Sequence, residues 1–251
     1  MKLKVIIPVA IAVTTLSACM ETMNVDGLVG AGGKMLQAYN LSDQEVVSLS
    51  NQACAQMDQE NKIAAANSKY NRRLQNLVKP LSKTLNGQQP NFKVYQTPEL
   101  NAWAMANGCI RVYSGLMDKM TDAELQGIIG HEMGHVELGH SKKAMQTAYT
   151  LSAARDAAAA AGNSTVTALS SSQLGELTEA LLNAQFSQSQ ETAADDYAFD
   201  LLTQRKLNTK GLVTAFEKLA ALDGGQSSIM SSHPGSSARA QRMQGKIDAA
   251  K

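Results

Sequence analysis

The sequence predicts an α+β fold that is mostly helical and contains one small β-sheet. Apolar residues recur at helical spacing over most of the chain, and the stretch from residue 90 to residue 116 shows the alternation and turn signals of strands. Aromatic residues make up only 4% of the 251 residues, so we expect a core of Leu, Ile, Val, Met and Ala. A chain of this length is expected to contain one main domain.

The first 18 residues have the pattern of a lipoprotein signal peptide. A short basic start precedes an apolar run from Val5 to Leu16, which is too short to span a bilayer comfortably. The letters L-S-A-C ending at Cys19 resemble the lipobox of bacterial lipoproteins, in which the cysteine is lipidated and becomes the first mature residue. Met20, where Asp would signal retention at the inner membrane, implies sorting to the outer membrane on its periplasmic side. The alternative is a secretory peptide with an incidental cysteine.

The region after Cys19 divides into a tether and a domain. Residues 19–40 are rich in glycine and are predicted to be a flexible tether, with the domain covering residues 41–251. Spaced apolar residues from Ser42 to Leu85 predict two helices, which end at a turn over residues 86–90.

Two stretches that follow are predicted to form strands. The residues from Phe92 to Tyr95 alternate as a strand does, and the Asn107-Gly108 dipeptide predicts a hairpin between two further short strands. An edge strand at this place could pair with an extended peptide. Trp103, in the first hairpin strand, is more often a packed core residue than a substrate contact.

A capped helix is predicted to carry the H-E-x-x-H motif of residues 131–135. Thr121 and Glu124 form a capping-box pattern at its start, and the apolar residues that follow recur at helical spacing. His131 and His135 are four residues apart, so both can direct an imidazole nitrogen at one zinc ion. Glu132 then lies beside the metal and suits a general base. The alternative is a solvent-exposed helix on which His and Glu are scattered and bind no metal.

A catalytic zinc commonly takes three protein ligands, so the two histidines need a partner. After a helix predicted for residues 141–161, a helical pattern runs from Leu174 through Phe186 towards E-T-A-A-D. Glu191, which begins that motif, is the natural candidate for the third ligand. His140 is not six residues after His135, the spacing of a third histidine ligand, and is interpreted as a packing or hydrogen-bonding residue.

The motifs together resemble the zinc metallopeptidase family that includes the CAAX prenyl protease and HtpX. The resemblance covers Phe92–Arg242 through N-A-W-A, G-C-I-R-V-Y-S-G-L, H-E-M-G-H-V-E-L-G-H, E-T-A-A-D and S-H-P. It implies a zincin-like domain with one Zn²⁺ per chain, Glu191 as a ligand, and Asp195 as a residue that orients a ligand histidine. It also places His233 near the active site, where it either steadies an oxyanion or serves as a structural loop residue.

Two cysteines remain after Cys19 is assigned to lipid. In an oxidising periplasm Cys54 and Cys109 are expected to form a disulfide, and the alternative is two buried thiols. The bridge would tie the N-terminal helical region to the segment before the metal-binding helix.

The predicted function is that of a zinc endopeptidase acting on proteins or peptides, and the resemblance implies quality control of unfolded or misassembled proteins. With 23 basic and 22 acidic residues, the composition argues against a dedicated nucleic-acid binder. Two alternatives remain open. One is a chaperone-like binding or assembly factor with a structural zinc, and the other is a metal-dependent hydrolase of nonpeptide substrates.

Overall fold

The computed structural model describes residues 41–159, 171–222, 229, 232–233 and 236–250. The predicted signal peptide, Cys19, the tether and the end of the helix predicted for residues 141–161 lie outside them. The described helices and strands follow this order: α1 Asp43–Glu60, α2 Lys69–Val78, a 3-10 turn Lys79–Leu81, β1 Asn91–Tyr95, β2 Ala102–Ala104, β3 Cys109–Tyr113, α3 Ser114–Lys119, α4 Asp122–Glu137, α5 His140–Ala159, α6 Ser171–Leu182, α7 Gln188–Gln204, α8 Lys210–Ala221 and α9 Ser236–Ala249. The fold is therefore α+β and mostly helical, as predicted. None of the described helices is both long and apolar enough to cross a membrane.

The small sheet has the strand order β1-β3-β2 and places β2 at an edge beside α4. β1 pairs with β3 in parallel and β2 pairs with β3 in the antiparallel sense, so the predicted hairpin is confirmed. The connection between β2 and β3 covers residues 105–108 and is therefore longer than a two-residue turn. Within it, Gly108 has a positive φ of 79°, and the side chain of Asn107 accepts a hydrogen bond from the amide of Cys109. Trp103 is 7% exposed and packs in the core.

Helix α4 lies at the centre of the helical layer, against α7 and α8. It begins at the predicted capping box of Thr121 and Glu124. Glycines let its neighbours approach: a Cβ on Gly134 would lie 3.0 Å from the backbone oxygen of Ala194 in α7, and a Cβ on Gly130 would lie 3.4 Å from the Cβ of Ala198. These glycines therefore allow α7 to approach α4 closely.

The helical pattern predicted to continue through Phe186 is interrupted. Helix α6 ends at Leu182, and α7 starts afresh with Ser187 as its N-cap. Ser187 and Gln190 form a reciprocal capping box, which satisfies the first amides of a new helix and makes a separate start favourable. Phe186 therefore lies in the connection between the two helices rather than on a continuous helical face.

A disulfide between Cys54 and Cys109 joins α1 to the central strand β3, with the two Cα atoms 6.5 Å apart. Beside it, the buried Arg111 donates to Asp58 through Nε at 2.9 Å and lies 3.1 Å from the Cys54 sulfur through Nη2. Burial alone would raise the pKa of Asp58, but hydrogen bonds from Arg111, Lys93 and Tyr95 lower it to about 2. The aspartate is therefore ionised and neutralises the buried guanidinium.

Candidate metal centre

His131 and His135 point from one face of α4 to the same place. Their Nε2 atoms are 3.0 Å apart, and both side chains are buried. Burial lowers the pKa of His135 to about 4 and holds the pKa of His131 well below its usual value. Both rings are therefore neutral at neutral pH and offer free nitrogen lone pairs to a metal.

Glu191 joins the two histidines from the first turn of α7. Its Oε1 lies 3.4 Å from Nε2 of His135, and its Oε2 lies 3.6 Å from Nε2 of His131. Burial opposes the charge of Glu191, but hydrogen bonds with His135 and His233 hold its pKa below the usual range, so the carboxylate is ionised.

The three side chains fit a zinc ion. Tetrahedral zinc with bonds of about 2.0–2.1 Å has ligand atoms about 3.4 Å apart. The spacings among His131, His135 and Glu191 run from 3.0 to 3.6 Å. Two neutral imidazoles and one carboxylate are also a donor set that catalytic zinc commonly takes.

The other nitrogen of each histidine is also engaged. Asp195, one turn after Glu191, places Oδ1 2.9 Å from Nδ1 of His131. A proton on that nitrogen is then donated to the carboxylate, which leaves Nε2 free to bind metal. His140 places Nδ1 3.1 Å from Nδ1 of His135 and is not in the group of converging donor atoms.

His233 lies deeper in the site than the sequence indicated. Its Nδ1 is 2.9 Å from Oε1 of Glu191 and 3.2 Å from Nε2 of His131, while its Nε2 is 3.5 Å from Oε1 of Glu132. It is thus a fourth member of the group of converging donor atoms. Burial alone would lower its pKa, but the charges of Glu132 and Glu191 raise it above the usual value.

Glu132 faces the cleft next to these donors. The residue is 2% exposed, and its Oε1 has no hydrogen-bond partner among the described residues. Burial raises the pKa of Glu132 to about 7. A carboxyl group that titrates near neutral pH is well matched to accept a proton and later return it.

Two residues of the site were missed by the sequence reasoning. Arg239 of α9 contacts both Glu191 and Asp195, and Phe186 covers His135 with a distance of 3.9 Å between ring centroids. Nothing local in the sequence links Arg239 to Asp195, which is 44 residues away. Phe186 was assigned to a helix face, and the capping-box pattern at Ser187 was the signal that could have corrected this.

A narrow cleft leads to the donor atoms. Its lining includes Trp103, Ala104 and Met105 from β2 and the turn after it, Leu181 and Leu182 from α6, and Phe186. Glu132 and His233 are also among the lining residues. The cleft thus combines apolar side chains with a carboxylate and an imidazole group, a mixture that is typical of binding sites.

Comparison with known proteins is consistent with this chemistry. The sequence profile described as Peptidase family M48 matches residues 68–247. The chain is similar to "Metalloprotease LoiP" of Escherichia coli (strain K12), with 52% identity over 250 residues that cover 99% of this chain and 98% of that protein. It is 45% identical to "Metalloprotease YcaL" of the same strain over 251 residues, again 99% of this chain and 98% of the relative. "Protease HtpX" of Shewanella loihica is 41% identical over 56 residues, covering 21% of this chain and 20% of that protein.

Proposed function

Because the chain belongs to peptidase family M48 and is a metalloprotease, we propose that it is a lipid-anchored zinc endopeptidase of the bacterial envelope. Its substrates would be unfolded or misassembled proteins, so that it acts in quality control. The observation that carries the proposal is the convergence of His131, His135 and Glu191 on one point next to the unpartnered oxygen of Glu132.

Each residue has a distinct part in peptide hydrolysis. His131, His135 and Glu191 would hold the zinc, and Asp195 would orient His131 through its Nδ1. When bound, zinc supplies Lewis-acid chemistry, because it polarises a carbonyl and makes a water acidic. Glu132 takes the proton of the attacking water and delivers it to the nitrogen of the leaving amine.

Strand β2 is the candidate docking edge for the substrate backbone. Its partner β3 lies on one side only, and the residues Trp103, Ala104 and Met105 line the cleft next to Glu132. An extended and unfolded segment can add to such an edge through main-chain hydrogen bonds. A folded protein has few segments available for this pairing, which supports unfolded chains as substrates.

His233 is proposed to stabilise the negative charge that develops on the carbonyl oxygen. Replacing His233 with Ala is expected to lower kcat by about 10²–10³, the usual cost of losing one such donor, while zinc stays bound. Peptide turnover and zinc content should be measured on the same preparation. A kcat that rises in this variant would show instead that His233 restrains the site, and equal loss of zinc and turnover would assign it to holding the fold or the metal.

Attachment to the outer membrane is supported by the sequence around Cys19. The basic start, the short apolar run and the letters L-S-A-C fit a lipidated cysteine. Cells grown with a clickable palmitate analogue should yield labelled protein in the outer-membrane fraction, and Cys19→Ala should be neither labelled nor membrane-bound. Equal labelling of both proteins would remove the anchor from the proposal.

A second function is favoured by one observation. His233 adds a fourth donor to the two histidines and Glu191, and structural zinc sites are normally closed by four protein ligands. A binding or assembly factor with a structural zinc would have such a set. This function gives no reason for a buried, unpartnered oxygen on Glu132, so we prefer the peptidase.

The experiment that separates the two is proteolysis of a denatured test protein by the chain that begins at Met20. Zinc-loaded protein is expected to cleave the substrate, zinc-stripped protein to be inactive, and added Zn²⁺ to restore cleavage when added Mg²⁺ does not. Retention of the substrate without cleavage by fully zinc-loaded protein would favour the binding factor.

A further inference from the structure

We propose that Arg239 is a positioning residue of the metal centre and that it makes zinc affinity depend on the docking of the C-terminal helix α9. The inference rests on the proposed zinc site and deepens it. Both α4 and α7 carry the ligands, whereas α9 carries none, so the sequence motifs alone assign α9 no part in binding metal.

The guanidinium of Arg239 connects two acidic side chains of α7. Its Nη1 lies 2.5 Å from Oε2 of Glu191. Its Nε and Nη2 donate to the two oxygens of Asp195 at 2.9 and 2.6 Å, which is a bidentate contact. The planar guanidinium presents its donors in a fixed fork, so it constrains both the position and the rotation of the carboxylates that it binds.

This arrangement acts on two of the three proposed ligands. Nη1 of Arg239 forms an ion pair with Oε2 of Glu191, while Oε1 of the same carboxylate faces Nε2 of His135 at 3.4 Å. Asp195, held by the same guanidinium, lies 2.9 Å from Nδ1 of His131. Nη2 of Arg239 also lies 3.1 Å from Nδ1 and 3.3 Å from Nε2 of His131. One side chain therefore contacts a carboxylate ligand directly and an imidazole ligand both directly and through Asp195.

Arg239 is itself held by packing. It is 8% exposed, and its guanidinium lies 4.1 Å from the centroid of the Phe216 ring in α8. Ala240 and Met243 of the same helix are buried in the core. The guanidinium can therefore occupy its place only when α9 is docked on α8, and zinc binding and docking of α9 should stabilise each other.

Charge and geometry act in opposite directions here, so their effects can be separated. A cation near the site repels Zn²⁺, and loss of this charge alone would tighten zinc binding. Loss of the fork frees Glu191 and Asp195 to rotate, which would weaken binding. Arg239→Lys retains the charge without the fork, and Arg239→Gln removes both, so the proposal requires weaker binding in both variants.

The test uses full-length protein in detergent, with wild type, Arg239→Lys, Arg239→Gln and the control Gln244→Ala. Gln244 is on the same helix and donates to Asp248, four residues further along that helix. Zinc affinity is measured by competition with a chromogenic chelator, and protection of the α9 amides by hydrogen exchange with and without zinc. We expect Arg239→Lys and Arg239→Gln to weaken zinc binding by about 10–100-fold, as is typical for partners of metal ligands, and to lose the zinc-dependent protection of α9. The control should match wild type in both measurements.

Two results would overturn the inference. Unchanged or tighter zinc binding in either folded Arg239 variant would show that the fork does not position the ligands, even if thermal stability falls equally with and without zinc. Zinc-independent protection of α9 in the wild type would show that the helix and the metal are not coupled.

If Arg239→Gln fails to fold, Arg239→Lys decides the question alone. Failure of the wild type to bind zinc would instead refute the proposed function, and this is measured first.

Discussion

Replacing Glu132 with Gln is expected to stop peptide hydrolysis while zinc remains bound. Gln has nearly the same shape, but its amide cannot take a proton from water, so the loss should be the full contribution of a general base, about 10²–10⁴ in kcat. Burial raises the pKa of Glu132 to about 7, so its environment suits a proton acceptor that must also give the proton back. Initial rates on a quenched fluorescent peptide, at equal measured zinc content, provide the test.

The same helix offers a matched control. Glu137 lies at the end of α4, where it contacts Lys83 and accepts a hydrogen bond from the amide of Asn86, away from the converging donors. Glu137→Gln should retain a kcat near that of wild type. If Glu132→Gln retains more than about a tenth of wild-type activity with zinc bound, Glu132 is not the general base.

Removal of the disulfide should cost the protein much of its stability. Cys54 and Cys109 are 55 residues apart, and cross-links of this kind stabilise small domains by about 2–5 kcal/mol, with about 4 kcal/mol expected for this loop in the chain-entropy model. The double variant Cys54→Ala and Cys109→Ala should therefore unfold at a much lower urea concentration than the wild type. A mass difference of two hydrogens, about 2 Da, between reduced and non-reduced wild type first establishes that the bridge is present.

Reduction provides the control for this prediction. A thiol-free reductant should lower the unfolding midpoint of the wild type towards that of the double variant and leave the variant itself unchanged. Equal unfolding midpoints for oxidised wild type, reduced wild type and double variant would mean that the cross-link adds no stability. Since the bond lies beside Arg111 and Asp58, part of any loss of stability can come from disturbed packing there. The double variant Cys54→Ser and Cys109→Ser also lacks the bond, so comparing its unfolding midpoint with that of the alanine variant measures how far the loss depends on this packing.

The parts of the site that could be predicted are those encoded locally. The capping box at Thr121 and the four-residue spacing of His131 and His135 depend on one helix only, so their geometry follows from the helical repeat. Glu191 was a candidate because catalytic zinc needs a third ligand, and the family resemblance supported it, since its partners are on another helix. The family resemblance and the mostly helical fold are both confirmed.

What the sequence did not predict depends on contacts between distant segments. The fork of Arg239 on Glu191 and Asp195 exists only after α9 has docked, and no local pattern indicates which face of α9 that will be. The place of Phe186 over His135 depends on where α6 stops. His233 follows a segment outside the described residues, and only the assembled site shows how close its ring comes to Glu191.

The glycines of α4 also determine how accurately the donor atoms are placed. At Gly130 and Gly134 the backbone of α4 faces Ala198 and Ala194 of α7, so no long side chain separates the helix that carries two donors from the helix that carries the third. Long side chains can change rotamer and absorb a shift, whereas closely packed backbones have less freedom to do so. The distance between the histidine nitrogens and the carboxylate oxygen thus depends on how closely α4 and α7 pack at these glycines. Close packing of this kind favours the placement within about 0.5 Å that catalysis requires.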